Sequence, residues 1–309
     1  MTCPNIITER LLAGSAFGLS SVEKRSTLLP ALDQLTRKHY SECSIYRRVV
    51  DGVFGGLAPG GYKKLEDIPF LPVSLFKQFE LRSIPAENIF RILTSSGTTG
   101  QSVSRVILDR ETAALQGKAL VKIMQHFIGK ERLPMVVLDH EGVIKDRASF
   151  SARGAGILGL MQFGRQPIYA LRSDMSFDVE RVLSYLNDHR DKPVLFFGFT
   201  FMVWQHALLR LQELGVKLTA NSGILIHSGG WKRLESMRVD AETFGQTAKR
   251  LLGVSRVINF YGMVEQVGSV FFENQIGSLH TPVFADVIVR DPFTLKPLPR
   301  GKPGLIQVL

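Results

Sequence analysis

Between residues 134 and 260 the chain switches repeatedly between short apolar runs and amphipathic stretches. The runs at 134–139, 194–198, 224–227 and 256–260 have the character of strands buried on both faces. Helical spacing fills the gaps at 155–160, 178–188, 201–214 and 234–252, with Gly215 supplying a stop for the third. Strands separated by helices pair through crossovers, so the sheet is mainly parallel and flanked by helices. This restricts the chain to an α/β class. Upstream, residues 1–66 read as a helical lead-in. Ser20 and Glu23 have the spacing of a capping box, and Leu28, Leu32 and Leu35 follow at helical intervals. Residues 67–265 are the α/β core. After 265 the pattern changes to strands and turns, at 270–272, 285–289 and 305–309, so 266–309 is a small β-rich portion.

The stretch 94–102 joins two apolar runs, 90–93 and 105–108, that read as the arms of a hairpin. Gly97 and Gly100 permit backbone conformations that a side chain forbids, so consecutive N–H groups can turn inward around an anion. The hydroxyls of Ser95, Ser96, Thr98 and Thr99 add donors. No Gly-Lys-Ser/Thr follows, so this is not a Walker A loop. A polyphosphate cradle and a plain polar hairpin tip both fit the residues of this loop taken alone.

Two further turns end parallel-type strands: His227 to Trp231, and Asn259 to Glu265. Open α/β sheets bind ligands beyond the carboxyl ends of their strands. Tyr261 is suited to stack on a base, and Glu265 to hold Mg²⁺ beside phosphates. Gly154, Gly156 and Gly159 match G-x-G-x-x-G, but 147–153 does not read as a strand. The match is therefore assigned to close helix packing rather than to a dinucleotide. There is no G-x-S-x-G and no H-E-x-x-H, and the seven histidines lack metal spacing. The only cysteines, Cys3 and Cys43, make neither a disulfide framework nor a zinc cluster. The net charge of +10 is scattered and lacks a basic stripe with interleaved aromatics, so no nucleic-acid partner is expected. No apolar run reaches the roughly 18 residues that cross a bilayer. The N-terminus is polar where a signal peptide is apolar, which predicts a cytoplasmic protein.

The hydroxyl–glycine loop at 94–100 and the N-x-Y-G-x-x-E run at 259–265, in that order, resemble the adenylate-forming superfamily. Its members include acyl-CoA synthetases, luciferases and peptide-synthetase adenylation domains. Ile68, Pro69, Pro72, Val73, Phe76 and Lys77, the stretch 197–201, and His227 through Lys232 extend the likeness to the LuxE-like acyl-protein synthetases. The resemblance covers most of 68–309. It implies the large N-terminal domain of an adenylate-forming enzyme. It also implies ATP- and Mg²⁺-dependent activation of a carboxylic acid, a fatty acid, as acyl-adenylate, followed by transfer to a protein thiol. By resemblance, Ser95, Ser96, Gly97, Thr98, Thr99 and Gly100 cradle phosphates. Gly229, Gly230 and Trp231 line the adenine side, Tyr261 stacks on adenine, and Asn259, Gly262 and Met263 complete the nucleotide site. Thr98 and Glu265 are the catalytic candidates, Glu265 as the Mg²⁺ ligand, and Phe199 and His227 the acid-substrate candidates. An acyl reductase or an acyl-accepting protein is the implied partner. The alternatives are an aryl- or acyl-CoA ligase related to phenylacetate activation, and a degenerate nucleotide-binding scaffold of an acyl reductase. Val264 stands where the superfamily usually has Thr, and Ser102 and Arg105 follow the loop where Lys is common. Related enzymes continue with a ribose-binding Asp and a small mobile domain bearing a catalytic Lys. In the acyl-protein synthetases that domain also carries an acyl-accepting cysteine. Residues 1–309 are thus expected to be the large domain without that lid.

Overall fold

The computed structural model describes residues 11–95, 103–145, 152–220, 222–274 and 276–309. Contacts divide the chain into two units whose segments alternate along the sequence. Met1–His126, Gly262–Val270 and Thr281–Leu309 form the first, and Phe127–Tyr261 with Phe271–His280 the second.

The first unit opens with α1 (Ser21–Glu42) and α2 (Ser44–Phe54). The expected capping box is present: Glu23 N–H donates to Ser20 Oγ, and Ser20 N–H donates to Glu23 Oε2 at 3.0 Å. Each bond satisfies a helix-start donor that has no intrahelical partner. The hairpin is also as expected. β1 (Arg91–Thr94) pairs antiparallel with β2 (Arg105–Leu108), and α3 (Arg110–Ile128) follows.

The second unit is built on a seven-stranded sheet. Its strands are β3 (Leu133–His140), β4 (Gly164–Leu171), β5 (Leu195–Phe199), β6 (Ile224–Ser228), β7 (Arg256–Tyr261), β8 (Phe271–Glu273) and β9 (Leu279–His280). The order across the sheet is β4-β3-β5-β6-β7-β8-β9. The first five are parallel, and β8 and β9 run antiparallel at one end. α4 (Ala152–Met161), α5 (Val179–Asp188) and α6 (Ala241–Leu252) supply the crossover layers. Phe196, Phe197, Leu195, Met135 and Leu138 are fully buried, as central parallel strands require.

Three features depart from the sequence reading. β4 was not foreseen: Arg165, Gln166 and Pro167 interrupt its apolar run, which an edge strand tolerates. The helix expected at 201–214 is one α turn (Thr200–Met202), then a π segment (Val203–Leu208), then α again (Leu209–Glu213). The helix expected at 234–252 is a 3₁₀ segment (Lys232–Met237) followed by α6, which restarts because Asp240 Oδ1 accepts from Thr243 N–H at 2.7 Å.

β10 (Val287–Arg290) and β11 (Leu305–Val308) pair antiparallel in the first unit. Asp286 ties this hairpin to α1, with Lys24 Nζ and Arg25 Nη1 each 3.1 Å from its carboxylate. Arg25 also pairs with Glu66. Among the described residues, no helix is long and apolar enough to cross a membrane.

Candidate active site

Two of the sequence-predicted turns begin at the carboxyl edge of the parallel sheet, after β6 and after β7. In the β5–β6 pairing Phe199 lies opposite Ser228, and in the β6–β7 pairing Ser228 lies opposite Phe260. The next residues along the three strands are Thr200, Gly229 and Tyr261, so neighbouring strands deliver them side by side. Tyr261 ends β7 and is 45% exposed, which leaves a ring face at the edge rather than in the core.

Gly229 has φ +85°, the left-handed region that favours glycine. A Cβ there would stand 3.1 Å from Phe199 Cδ1, and a Cβ on Gly156 would stand 2.9 Å from Phe199 Cζ. The Phe199 ring is thus seated between the β6 turn and α4. The glycine triplet at 154–159 lies wholly within α4, and Gly156 is the member that packs helix on strand, while Gly159 has nothing within 4 Å of where a Cβ would be.

Thr200 Oγ1 donates to the Ser228 carbonyl at 3.1 Å and lies 2.9 Å from His227 Nδ1. With the hydroxyl hydrogen on the carbonyl, Nδ1 carries the imidazole proton and donates to Oγ1. His227 is buried, packed on the Phe244 ring at 4.4 Å. Burial lowers its pKa to about 3, so the ring is neutral in the physiological range. Trp231 places its indole in the core, 5.7 Å from Trp204 and 6.3 Å from Phe244. Gly230 is exposed, with nothing within 4 Å of where a Cβ would be. The turn therefore presents glycine backbone, while its aromatic side chain anchors it from below.

In the first unit, Gly262 packs so closely that a Cβ would meet Val270 Cγ1 at 2.9 Å. Gln266 N–H donates to the Met263 carbonyl at 3.1 Å, and Gln266 Nε2 donates to Ser269 Oγ at 3.0 Å. These bonds brace the turn that carries a half-buried Glu265. One such carboxylate, completed by phosphate oxygens and water, fits the habit of magnesium. No cluster of three or more acidic, His or Cys side chains suited to a metal occurs among the described residues. Ser95 opens the hydroxyl–glycine loop: its N–H donates to the Ser104 carbonyl at 3.2 Å, and Ser104 N–H donates to Ser95 Oγ at 2.9 Å. Ser96, Gly97, Thr98, Thr99 and Gly100 lie outside the described residues.

Three polar residues near this edge were not anticipated. Glu273 on β8 is a half-buried acid whose pKa is raised by burial, against a hydrogen bond from the Asn259 main chain. Asp139 and Arg153 form an ion pair 3.2 Å apart. Their sequence signals were weak, since Asp139 terminates an apolar run and Arg153 stands in the first turn of a glycine-rich helix.

The family described as "Acyl-protein synthetase, LuxE" matches residues 1–309. A long-chain-fatty-acid–luciferin-component ligase of Aliivibrio fischeri is 23% identical over 258 residues, covering 79% of this chain and 65% of that protein. The protein of the same name from Vibrio harveyi is 22% identical over 281 residues, 88% of this chain and 71% of that one. The chain thus spans about two thirds of these relatives' length. Among solved structures, an open conformation of 2-hydroxyisobutyryl-CoA ligase, in complex with 2-HIB-AMP and CoA, superposes with a TM-score of 0.68 at 16% identity. The match covers 94% of this chain and 62% of that one. A long-chain-fatty-acid-CoA ligase of Archaeoglobus fulgidus gives 0.50 at 13% identity, over 75% of this chain and 44% of that one. The last two comparisons establish the fold alone.

Proposed function

We propose a function from one premise: the chain belongs to the acyl-protein synthetase family, LuxE. It takes part in the ATP-dependent activation of a carboxylic acid, a fatty acid, and in passing the acyl group to a protein thiol. A carboxylate oxygen attacks the α-phosphorus of ATP and pyrophosphate leaves. A thiol then attacks the acyl carbonyl, loses its proton to solvent, and AMP leaves. The observation that carries this reading is that Gly229 and Tyr261, from the two turns that the resemblance gives to nucleotide, stand at adjacent strand ends, with Thr200 at the end of the strand beside them.

In this reading Tyr261 stacks on adenine. The Gly229–Gly230 backbone approaches the nucleotide where a side chain would intrude, and Asn259, Gly262 and Met263 hold the turn around it. Ser95 through Gly100 donate to the phosphates, with Thr98 among the groups meeting developing charge. Glu265 holds Mg²⁺, which when bound neutralises phosphate charge. Positioning and charge neutralisation, more than a strong base, are what attack on a polyanion requires. Phe199 and His227 support the acid end, His227 as a neutral ring that fixes Thr200. An acyl reductase or an acyl-accepting protein is the partner, and the cytoplasm the setting. The test is carboxylate-dependent ATP–pyrophosphate exchange with a panel of fatty acids. Exchange that rises with a fatty acid supports the reading, and none with any carboxylate refutes it. Labelled acyl transfer to protein, compared with transfer to coenzyme A, decides the acceptor.

A further inference from the structure

Continuing the β3–β5 register beyond Val137 opposite Phe197 brings Asp139 opposite Phe199, in the same rank of the sheet edge as Ser228 and Phe260. Asp139 is 1% exposed. Its Oδ1 accepts from His140 N–H at 2.8 Å, and the His140 ring lies 4.0 Å away. Its Oδ2 faces Arg153 Nε at 3.2 Å, out of line for a hydrogen bond, so both buried atoms lack a properly aligned partner. Burial raises the Asp139 pKa, while Arg153, His140 and His206 oppose that rise.

Arg153 lies in the first turn of α4, one turn before Gly156, the residue that admits the Phe199 ring. Its Nη1 donates to Met202 Sδ at 3.4 Å. A thioether is a weak acceptor, and the side chain is 26% exposed. The guanidinium is therefore held on one side by a buried carboxylate, and its contact with the thioether leaves donor capacity for an anion. The half-buried Phe199 ring, seated at Gly156, lies one helical turn along from Arg153, while Met202 belongs to the core.

The geometry points to Arg153, oriented by Asp139, as the group that receives the carboxylate of the acid substrate, with the half-buried Phe199 beginning the apolar path for its tail. This rests on the acid-activating reading above. A guanidinium offers paired donors to a carboxylate and nothing comparable to an alcohol. Arg153 is thus assigned a binding role and Asp139 a positioning role.

The test measures binding of dodecanoate and of dodecanol to the full chain by titration calorimetry, without ATP. The wild type is expected to favour dodecanoate by about ten-fold or more, the scale of a charge-assisted bond. Arg153→Gln should bring that ratio to near one with dodecanol affinity unchanged, and Arg153→Lys should retain part of it. Asp139→Asn should lower the ratio although Arg153 remains. Melting curves check that each variant is folded, and the lysine variant carries the test if the glutamine variant is not. A folded Arg153→Gln protein with an undiminished ratio, or a wild type with no preference, overturns the inference. Failure of carboxylate-dependent pyrophosphate exchange would instead refute the activation reading, since the binding ratio is measured without nucleotide.

Discussion

Replacing Gly229 by alanine should cost about 2–3 kcal/mol of stability, and replacing its neighbour Gly230 almost nothing. At φ +85° an L-residue carries the left-handed penalty of about 1–2 kcal/mol. The added methyl would also stand 3.1 Å from Phe199 Cδ1, inside ordinary contact distance. The ring has little room to retreat, because its far end already rests where Gly156 lacks a Cβ. Overpacking of this kind adds about 1 kcal/mol or more. Gly230 lies outside the left-handed region and has open space around its missing Cβ, so its alanine variant should stay within about 0.5 kcal/mol of wild type. Urea unfolding of both variants measures the difference. A double-mutant cycle of Gly229→Ala with Phe199→Leu isolates the steric part, with an expected coupling of about 0.5–1.5 kcal/mol. Equal effects at the two glycines, or no coupling to Phe199, would refute the argument that the ring and the turn are mutually seated.

Glu265→Gln should fold normally yet lose most fatty-acid-dependent exchange, since removing a metal-held clamp costs several kcal/mol of transition-state stabilisation; undiminished exchange in the folded variant would remove Glu265 from the metal. Trp231→Ala should destabilise by about 3–5 kcal/mol through loss of core packing. Tyr261→Ala, at an exposed edge, should leave stability nearly unchanged and weaken ATP binding, and isothermal titration beside thermal melts would expose the reverse pattern. His227 is held neutral, with its pKa lowered from 6.5 to about 3 by burial. The unfolded chain therefore binds a proton between those values that the folded chain does not, so this residue makes stability fall as pH drops from about 6.5 toward 3. His227→Gln should flatten that part of the stability–pH curve, and an unchanged slope would mean that another group is responsible.

Much of the fold follows from short-range physics that a sequence displays. Apolar runs separated by helical stretches determine a parallel sheet, because crossovers are the only connection that fits. Ser20 and Glu23 fix the start of α1 because a capping box needs only residues three apart. The two turns at 227–231 and 259–265 were legible as turns for a similar reason: glycines directly after apolar runs mark strand ends. What stayed hidden depends on partners distant in sequence. β4 exists because β3 lends it a ladder, whatever Arg165, Gln166 and Pro167 suggest locally. Trp231 reads as a site residue by its place in a turn, yet Trp204 and Phe244 draw its indole into the core. Which segments join which unit is likewise a matter of packing, with 262–270 and 281–309 grouped with the N-terminal portion. Asp139 and Arg153 are ordinary charges until β3 and α4 meet. Only that meeting buries the carboxylate, removes the water that would have solvated it, and leaves the guanidinium fixed at the edge where the strands end.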